Sequence, residues 1–258
     1  MWHRIKRQLS KQRHAWYARN AIKPELMKLD AGRKLRDTPQ SECFHSQNGQ
    51  DRWVTRNLLP DKVGGVFVDI GAHDGQSLSN TWYLERELGW SGLAVEPLPE
   101  VYAKLAAARE CSTIQGCVAA QSGTAKFQAI GGYSQMLSGL VNEREASHDA
   151  RVAREMAIHG GELKEIVVRC YTLGELLEQH NIDHVDYLDI DVEGAELSIL
   201  ENFDFDRFHV SIIAVENNYR DHHIPAFLTR QGFEFHSVVG DEFYVNRRQA
   251  LPKLAPAA

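Results

Sequence analysis

Two sets of acidic residues in this sequence could do chemistry, and each closes an apolar run. The first lies in Val66-Phe67-Val68-Asp69-Ile70-Gly71-Ala72-His73-Asp74-Gly75 and is answered by Leu93-Ala94-Val95-Glu96-Pro97. Strand, glycine loop, helix and strand in that order make a nucleoside site, with the second acid at the strand tip accepting hydrogen bonds from both ribose hydroxyls. Gly71 and Gly75 let the loop turn at positive φ and approach a ligand, and a helix expected from about Gln76 would aim its amides at it. The second set is Asp189-Ile190-Asp191-Val192-Glu193-Gly194-Ala195-Glu196, followed after one more apolar run by Glu216-Asn217. If the strand runs through Asp191, period two puts Asp189 and Asp191 on one face. Strand ends converge in a doubly wound sheet, so Asp191, Glu216 and Asn217 would suit a magnesium-like ion that lowers the pKa of a substrate hydroxyl. Two alternatives stand beside that: Asp191 or Glu193 caps the helix after Gly194, or one of them is a general base without metal.

The loop chemistry narrows the nucleoside. A dinucleotide site wants Gly-x-Gly-x-x-Gly, but His73 holds the second glycine's position and the anion Asp74 follows it, a poor cradle for a pyrophosphate. No P-loop sequence occurs. Asp69 instead suits a cationic ligand with an amino group, which points to S-adenosylmethionine (SAM). The expected cofactor set is Asp69, Gly71, Ala72, His73, Gly75, Glu96, Pro97 and Asp189. The expected catalytic set is Asp191, Glu193 and His73, the last as a loop-shaping residue that could also take a proton.

Four blocks in this order, the Phe67–Gly75 loop, Gly89-Trp90-Ser91-Gly92, Val95-Glu96-Pro97 and the Asp189–Glu196 acidic run, resemble the FkbM family of SAM-dependent methyltransferases. The resemblance covers about residues 66–245. It implies a Rossmann-like fold, SAM as methyl donor and an oxygen acceptor, commonly a hydroxyl of a sugar, glycan or other secondary metabolite.

The elements that must position these residues alternate as an α/β fold. Strands are expected at 66–70, 93–96, 113–118, 185–190, 210–216, 233–239 and 242–245, with helices at 77–88, 101–109, 173–179, 195–201 and 225–231. Gly240-Asp241 joins the last two strands as an antiparallel hairpin, the ending of a seven-stranded, otherwise parallel methyltransferase sheet. Short strands at 124–130 and 165–170 flank a polar, helical insertion at 131–164, read as a substrate lid or, equally, a dimerisation element.

The chain has 258 residues, 43% hydrophobic and 25% charged, as an ordinary globular protein would. Eleven basic against two acidic residues between Met1 and Arg36 give that arm +9, leaving −15 for the rest of a chain of net −6. With Trp2, Ile5, Leu9, Trp16 and Tyr17 among them, the arm could meet an anionic membrane surface, a phosphorylated acceptor or a second copy, or simply be a solvated helix. The acidic body disfavours nucleic acid as a partner. Four scattered cysteines without Cys-x-x-Cys spacing indicate reduced thiols, Cys117 and Cys170 in the core, and a cytoplasmic protein, with peripheral contact at the inner membrane face through the arm. No signal peptide or membrane span is expected. The organisation is therefore a basic helical extension at 1–60, a methyltransferase domain at 61–248 and a disordered tail at 249–258. The competing readings are a non-catalytic SAM- or nucleoside-binding regulator and a nicotinamide-dependent oxidoreductase, which the His73-Asp74 loop and the terminal hairpin disfavour.

Overall fold

The structure is a computed structural model that describes residues 44–143, 146–217 and 221–248. The basic arm, Cys43 and the tail at 249–258 lie outside the described residues. In chain order the strands are β1 (Val66–Ile70), β2 (Ser91–Glu96), β3 (Ser112–Gln115), β4 (Cys117–Val118), β5 (Gly123–Ile130), β6 (Gly139–Leu140), β7 (Leu163–Tyr171), β8 (His184–Ile190), β9 (His209–Val215), β10 (Phe233–Val239) and β11 (Asp241–Asn246). The helices are α1 (Gln50–Trp53, continued by a π turn at Val54–Leu58), α2 (Trp82–Leu88), α3 (Pro99–Ala108), α4 (Ala146–His159), α5 (Leu173–Gln179), α6 (Glu196–Glu201) and α7 (His223–Arg230).

Seven strands form one sheet in the order β10-β11-β9-β8-β1-β2-β3. β1 pairs in parallel with β2 and β8, β2 with β3, and β8 with β9, while β11 runs antiparallel to both β9 and β10. The expected doubly wound sheet with its terminal hairpin is thus present, and the chain reverses its strand order at β1/β8, the crevice where such sheets bind ligands. Both faces are apolar because both are covered. Val68, Ile70, Leu188 and Ile190 pack with Leu176 and Leu177 of α5 and Leu228 of α7. Phe67 and Tyr187 point the other way, onto Trp53 and Val54 of the α1 segment and Leu84 of α2.

Two expectations are corrected. The 113–118 strand is two strands in different sheets: β3 stops at Gln115, and Cys117–Val118 cross to pair with β7. Gly116 makes the crossing, its amide donating to the Glu96 carbonyl at 3.1 Å, and a Cβ there would lie 2.8 Å from the Arg169 carbonyl oxygen. The helix expected from Gln76 begins only at Trp82. Asp74 accepts hydrogen bonds from the amides of Gln76 and Ser77 at 3.0 and 2.7 Å, and Leu78 lies at φ 59° and bridges to Ser46, which no helix allows.

A second, four-stranded sheet in the order β4-β7-β5-β6 was not foreseen. β5 and β7 pair antiparallel from Gly123↔Cys170 to Ile130↔Leu163, so the insertion is carried on a hairpin base. Beyond that base it forms a 3-10 turn at Gly132–Leu137, β6 and α4. No helix among the described residues is long and apolar enough to cross a membrane.

Candidate active site

The ends of β1, β2 and β8 and the inner side of the small sheet enclose a cleft lined by Gly71, His73, Glu96, Pro97, Asp191 and Glu193. Its walls are apolar: Leu98, Val118, Phe127, Met136 and Leu140. Counting its open mouth it holds about 660 Å³.

Glu96 is the polar anchor of one end. It is buried at the tip of β2, and its two oxygens accept the Leu98 amide at 2.9 Å and the His73 amide at 3.1 Å. Burial pushes its carboxyl up to about 7, although both amide bonds favour the ion, and the Asp69 carboxylate adds to the rise. A carboxyl so held has lone pairs left for donors from a ligand, which ribose hydroxyls would supply. His73 lies at φ 51°, the conformation that turns its amide toward Glu96. Its buried Nδ1 has no hydrogen-bond partner and stands 3.8 Å from an Asp74 oxygen.

The other end of the cleft is acidic. Asp191, Glu193 and Glu216 each bring a carboxylate oxygen within 4.8 Å of the others. Asp191 and Glu216 meet carboxyl to carboxyl, and burial together with neighbouring carboxylates pushes both well above the ordinary range. Such a pair is stable when one member keeps its proton or when a cation joins them. Glu193, at φ 58°, is turned into the cleft from the β8–α6 turn. Two cationic or potentially cationic side chains of α4 meet it from above: Arg151 at 3.0 and 3.3 Å and buried His148 at 3.4 Å. His148 is fixed on its other side by the Leu137 carbonyl at 3.0 Å. The insertion therefore roofs the site, adding Gln135, Met136, Ser138 and Leu140 to the cleft wall.

Other expected residues go elsewhere. Asn217 does not join the cluster; its amide closes the following loop, donating to the Asp221 carbonyl at 3.0 Å and accepting the Asp221 amide at 2.7 Å. Glu193 takes its place. The helix after Gly194 has no side-chain cap, so neither Asp191 nor Glu193 caps it; the Glu196 carboxylate instead accepts the amides of Val192 and Gly194 in the turn before it. Asp69 and Asp189 do not line the cleft. They are in-register neighbours on β1 and β8, on the Phe67 and Tyr187 face. Asp69 accepts from the Thr81 hydroxyl and lies near Arg109, which bonds Glu85; Asp189 accepts from the Tyr187 hydroxyl at 2.9 Å and Asn80 at 2.8 Å. Burial raises both. Ala72 packs inward with Ala94 and Leu105. Gly71 and Gly75 take the positive φ expected, +94° and +79°, but chain packing also demands them: a Cβ on Gly71 would lie 1.9 Å from the Asp191 carbonyl oxygen, and one on Gly75 2.6 Å from Leu105.

The apolar walls on Met136 and Leu140 were missed, because they belong to an insertion whose pairing is non-local; Val118 and Phe127 stood inside expected strands but were not assigned to the cleft.

A doubly wound sheet of this strand order, with a buried acid at the tip of the second strand and an apolar cleft beside it, defines the Rossmann-like methyltransferase class. Residues 69–235 match the Methyltransferase FkbM domain, so the chain belongs to the FkbM family of SAM-dependent methyltransferases. No protein with a curated description matches it. Among solved structures, Aeropyrum pernix fibrillarin, crystallised with natively bound S-adenosyl-L-methionine, is similar at 15% identity and a TM-score of 0.40 over 79% of this chain and 74% of that one, a likeness too loose to carry anything over.

Proposed function

We propose that this protein transfers the methyl group of SAM to a hydroxyl oxygen of a sugar, glycan or related small metabolite. The observation that carries the reading is one cleft with Glu96 at one end and Asp191 and Glu193, with Glu216 beside them, at the other. SAM supplies a methyl group on a sulfonium, already activated for displacement. Glu96 holds the ribose, and Leu98, Val118 and Phe127 offer apolar surface to the purine. At the acidic end, Asp191 or Glu193 orients the acceptor hydroxyl and takes its proton as the oxygen–carbon bond forms, and alignment supplies much of the rate. The insertion acts as a lid: α4 grips Glu193 and keeps water from the reacting atoms.

The three carboxylates also fit a magnesium-like ion, as hard oxygen ligands whose mutual repulsion a cation would relieve. Bound by Asp191, Glu193 and Glu216, it would lower the pKa of the acceptor hydroxyl. Arg151 competes with it for Glu193. Calorimetric titration of magnesium into the wild type and Asp191→Asn separates the two arrangements, heat only in the wild type favouring the ion and none in either favouring the proton-sharing pair.

The free thiols Cys111, Cys117 and Cys170 fit a reducing compartment, and we place the reaction in the cytoplasm. The test of function is incubation with methyl-labelled SAM and a panel of sugars, glycans and hydroxylated metabolites. A methyl ether in the product supports the reading; label on nitrogen or carbon, or none on protein that binds SAM, overturns it, the last in favour of a regulator.

A further inference from the structure

Cys117 and Cys170 are in-register neighbours on the parallel strands β4 and β7. Parallel neighbours lie about 4.8 Å apart with side chains on the same face, inside the Cα separation of roughly 4.4–6.8 Å that a disulfide spans. Both are buried in the main core. A pair of small apolar residues would fill that space as well, so burial alone says nothing. Two further observations do. Cys117 lines the cofactor cleft between Gly116 and Val118, which also line it, so a small molecule in the cleft reaches it without unfolding. The two thiols face each other, and their interaction lowers Cys170 to about 7 while Cys117 is raised. Two facing thiols of unequal acidity, one of them at the wall of a cavity, are the arrangement of a redox-sensitive pair.

We propose that Cys117 and Cys170 form a site of reversible oxidation, joined as a disulfide by hydrogen peroxide entering through the cofactor cleft and shielded when that cleft is filled. The thiolate of the pair attacks one peroxide oxygen; the oxygen–oxygen bond breaks, water leaves after protonation, and the sulfur becomes a sulfenic acid. The second thiol attacks that sulfur, the sulfur–sulfur bond forms and the hydroxyl departs as a second water. Two thiols and one peroxide thus give one disulfide and two waters, and a dithiol reductant reverses the change. Oxidation pulls the Cys117 sulfur toward β7, changing the wall that faces the purine. Shielding rests on the reading of the cleft as the SAM site; disulfide formation does not.

The test uses the full chain, reduced and then exposed to hydrogen peroxide with and without saturating S-adenosylhomocysteine, its binding followed separately by calorimetry. Remaining thiols are blocked, and digested peptides are mapped by mass. The expected result is a Cys117–Cys170 linked peptide, lost on dithiothreitol, forming about tenfold more slowly with the homocysteine ligand bound. A link to Cys111 or Cys43, or no link, overturns the site. An unchanged rate on protein that binds the ligand overturns the route through the cleft, and absence of ligand binding counts against the SAM reading while leaving the peptide map to decide the disulfide. Cys117→Ser should give no link and leave Cys170, the more acidic thiol, trapped as a sulfenic acid by dimedone; if that variant does not fold, the wild-type map decides alone.

Discussion

Arg151 of the insertion helix holds both carboxylate oxygens of Glu193, at 3.0 and 3.3 Å. Glu193 sits in the turn after β8, so this pair ties the roof of the cleft to its acidic floor. Its partner is partly open to solvent, Arg151 retaining 34% of its side-chain exposure, which limits the pair to about 1 kcal/mol. Replacing Arg151 with methionine should loosen α4 without unfolding the sheet. Hydrogen exchange of amides in 148–159 is expected to quicken about fivefold while amides of β8 and β9 stay unchanged. Unchanged exchange in α4 would mean the roof is held by packing of Val152 against Ile130 and Leu137 and not by the ion pair.

Glu96 predicts a pH dependence of binding. Its carboxyl, raised to about 7 by burial, is partly protonated at neutral pH, and ribose hydroxyls donate best to the ion. Ligand binding should lower that pKa, so affinity for S-adenosylhomocysteine rises between pH 6 and 8 and levels off above. Glu96→Gln should bind more weakly and lose that rise. A flat wild-type profile would show that Glu96 does not titrate against the ligand.

Stability should fall as pH rises. Glu96 and Glu196 are raised to about 7 and Asp241 to about 6, chiefly by burial. Each binds its proton more tightly folded than unfolded, so its contribution is fully present below the unfolded carboxyl range near 4 and is lost as pH climbs through the folded value. Buried His236, lowered to about 4, and His184, also lowered by burial, work the other way below about 6.5, and Cys170, lowered to about 7, does so above that value; the raised carboxyls are expected to outweigh them. Urea midpoints without ligand should be lower at pH 8 than at pH 6; a higher midpoint at pH 8 would contradict the raised carboxyls.

Gly71 is predicted to be intolerant of a side chain. With φ +94° and a Cβ 1.9 Å from the Asp191 carbonyl oxygen, Gly71→Ala should cost more than about 2 kcal/mol in chemical denaturation. Gly64, at φ +61° with nothing within 4 Å of a Cβ, isolates the backbone part and should cost about 1 kcal/mol as alanine. Equal losses would refute the steric account.

How far these features could be read from sequence depends on the range of the interactions behind them. Val66–Ile70, Leu173–Gln179 and Phe233–Val239 match expectation to the residue, because unbroken apolar runs and helical spacing are local signals. Glu96 was legible for the same reason, being the only acid at the tip of its strand. Expectation failed where a distant partner decides. Gln76 and Ser77 spend their amides on Asp74, and Leu78 bridges to Ser46; Cys117 leaves β3 for β7. Asp69 and Asp189 stand in the strands whose ends lead to the cleft but on the face given to Thr81, Asn80 and Tyr187, a distinction alternation alone cannot assign to a ligand. Asn217 was expected to turn inward with Glu216, yet the loop it closes with Asp221 claims both ends of its amide.

The central claim is that SAM occupies the cleft with its ribose on Glu96, and calorimetric titration of SAM into the wild type and Glu96→Ala tests it most directly, with circular dichroism to confirm that both are folded. The account predicts saturable one-to-one binding by the wild type and a dissociation constant raised about 30- to 100-fold in the variant, for the loss of charge-assisted hydrogen bonds worth roughly 2–3 kcal/mol. Equal affinity in the two proteins, or no binding by folded wild type free of carried-over ligand, would contradict it.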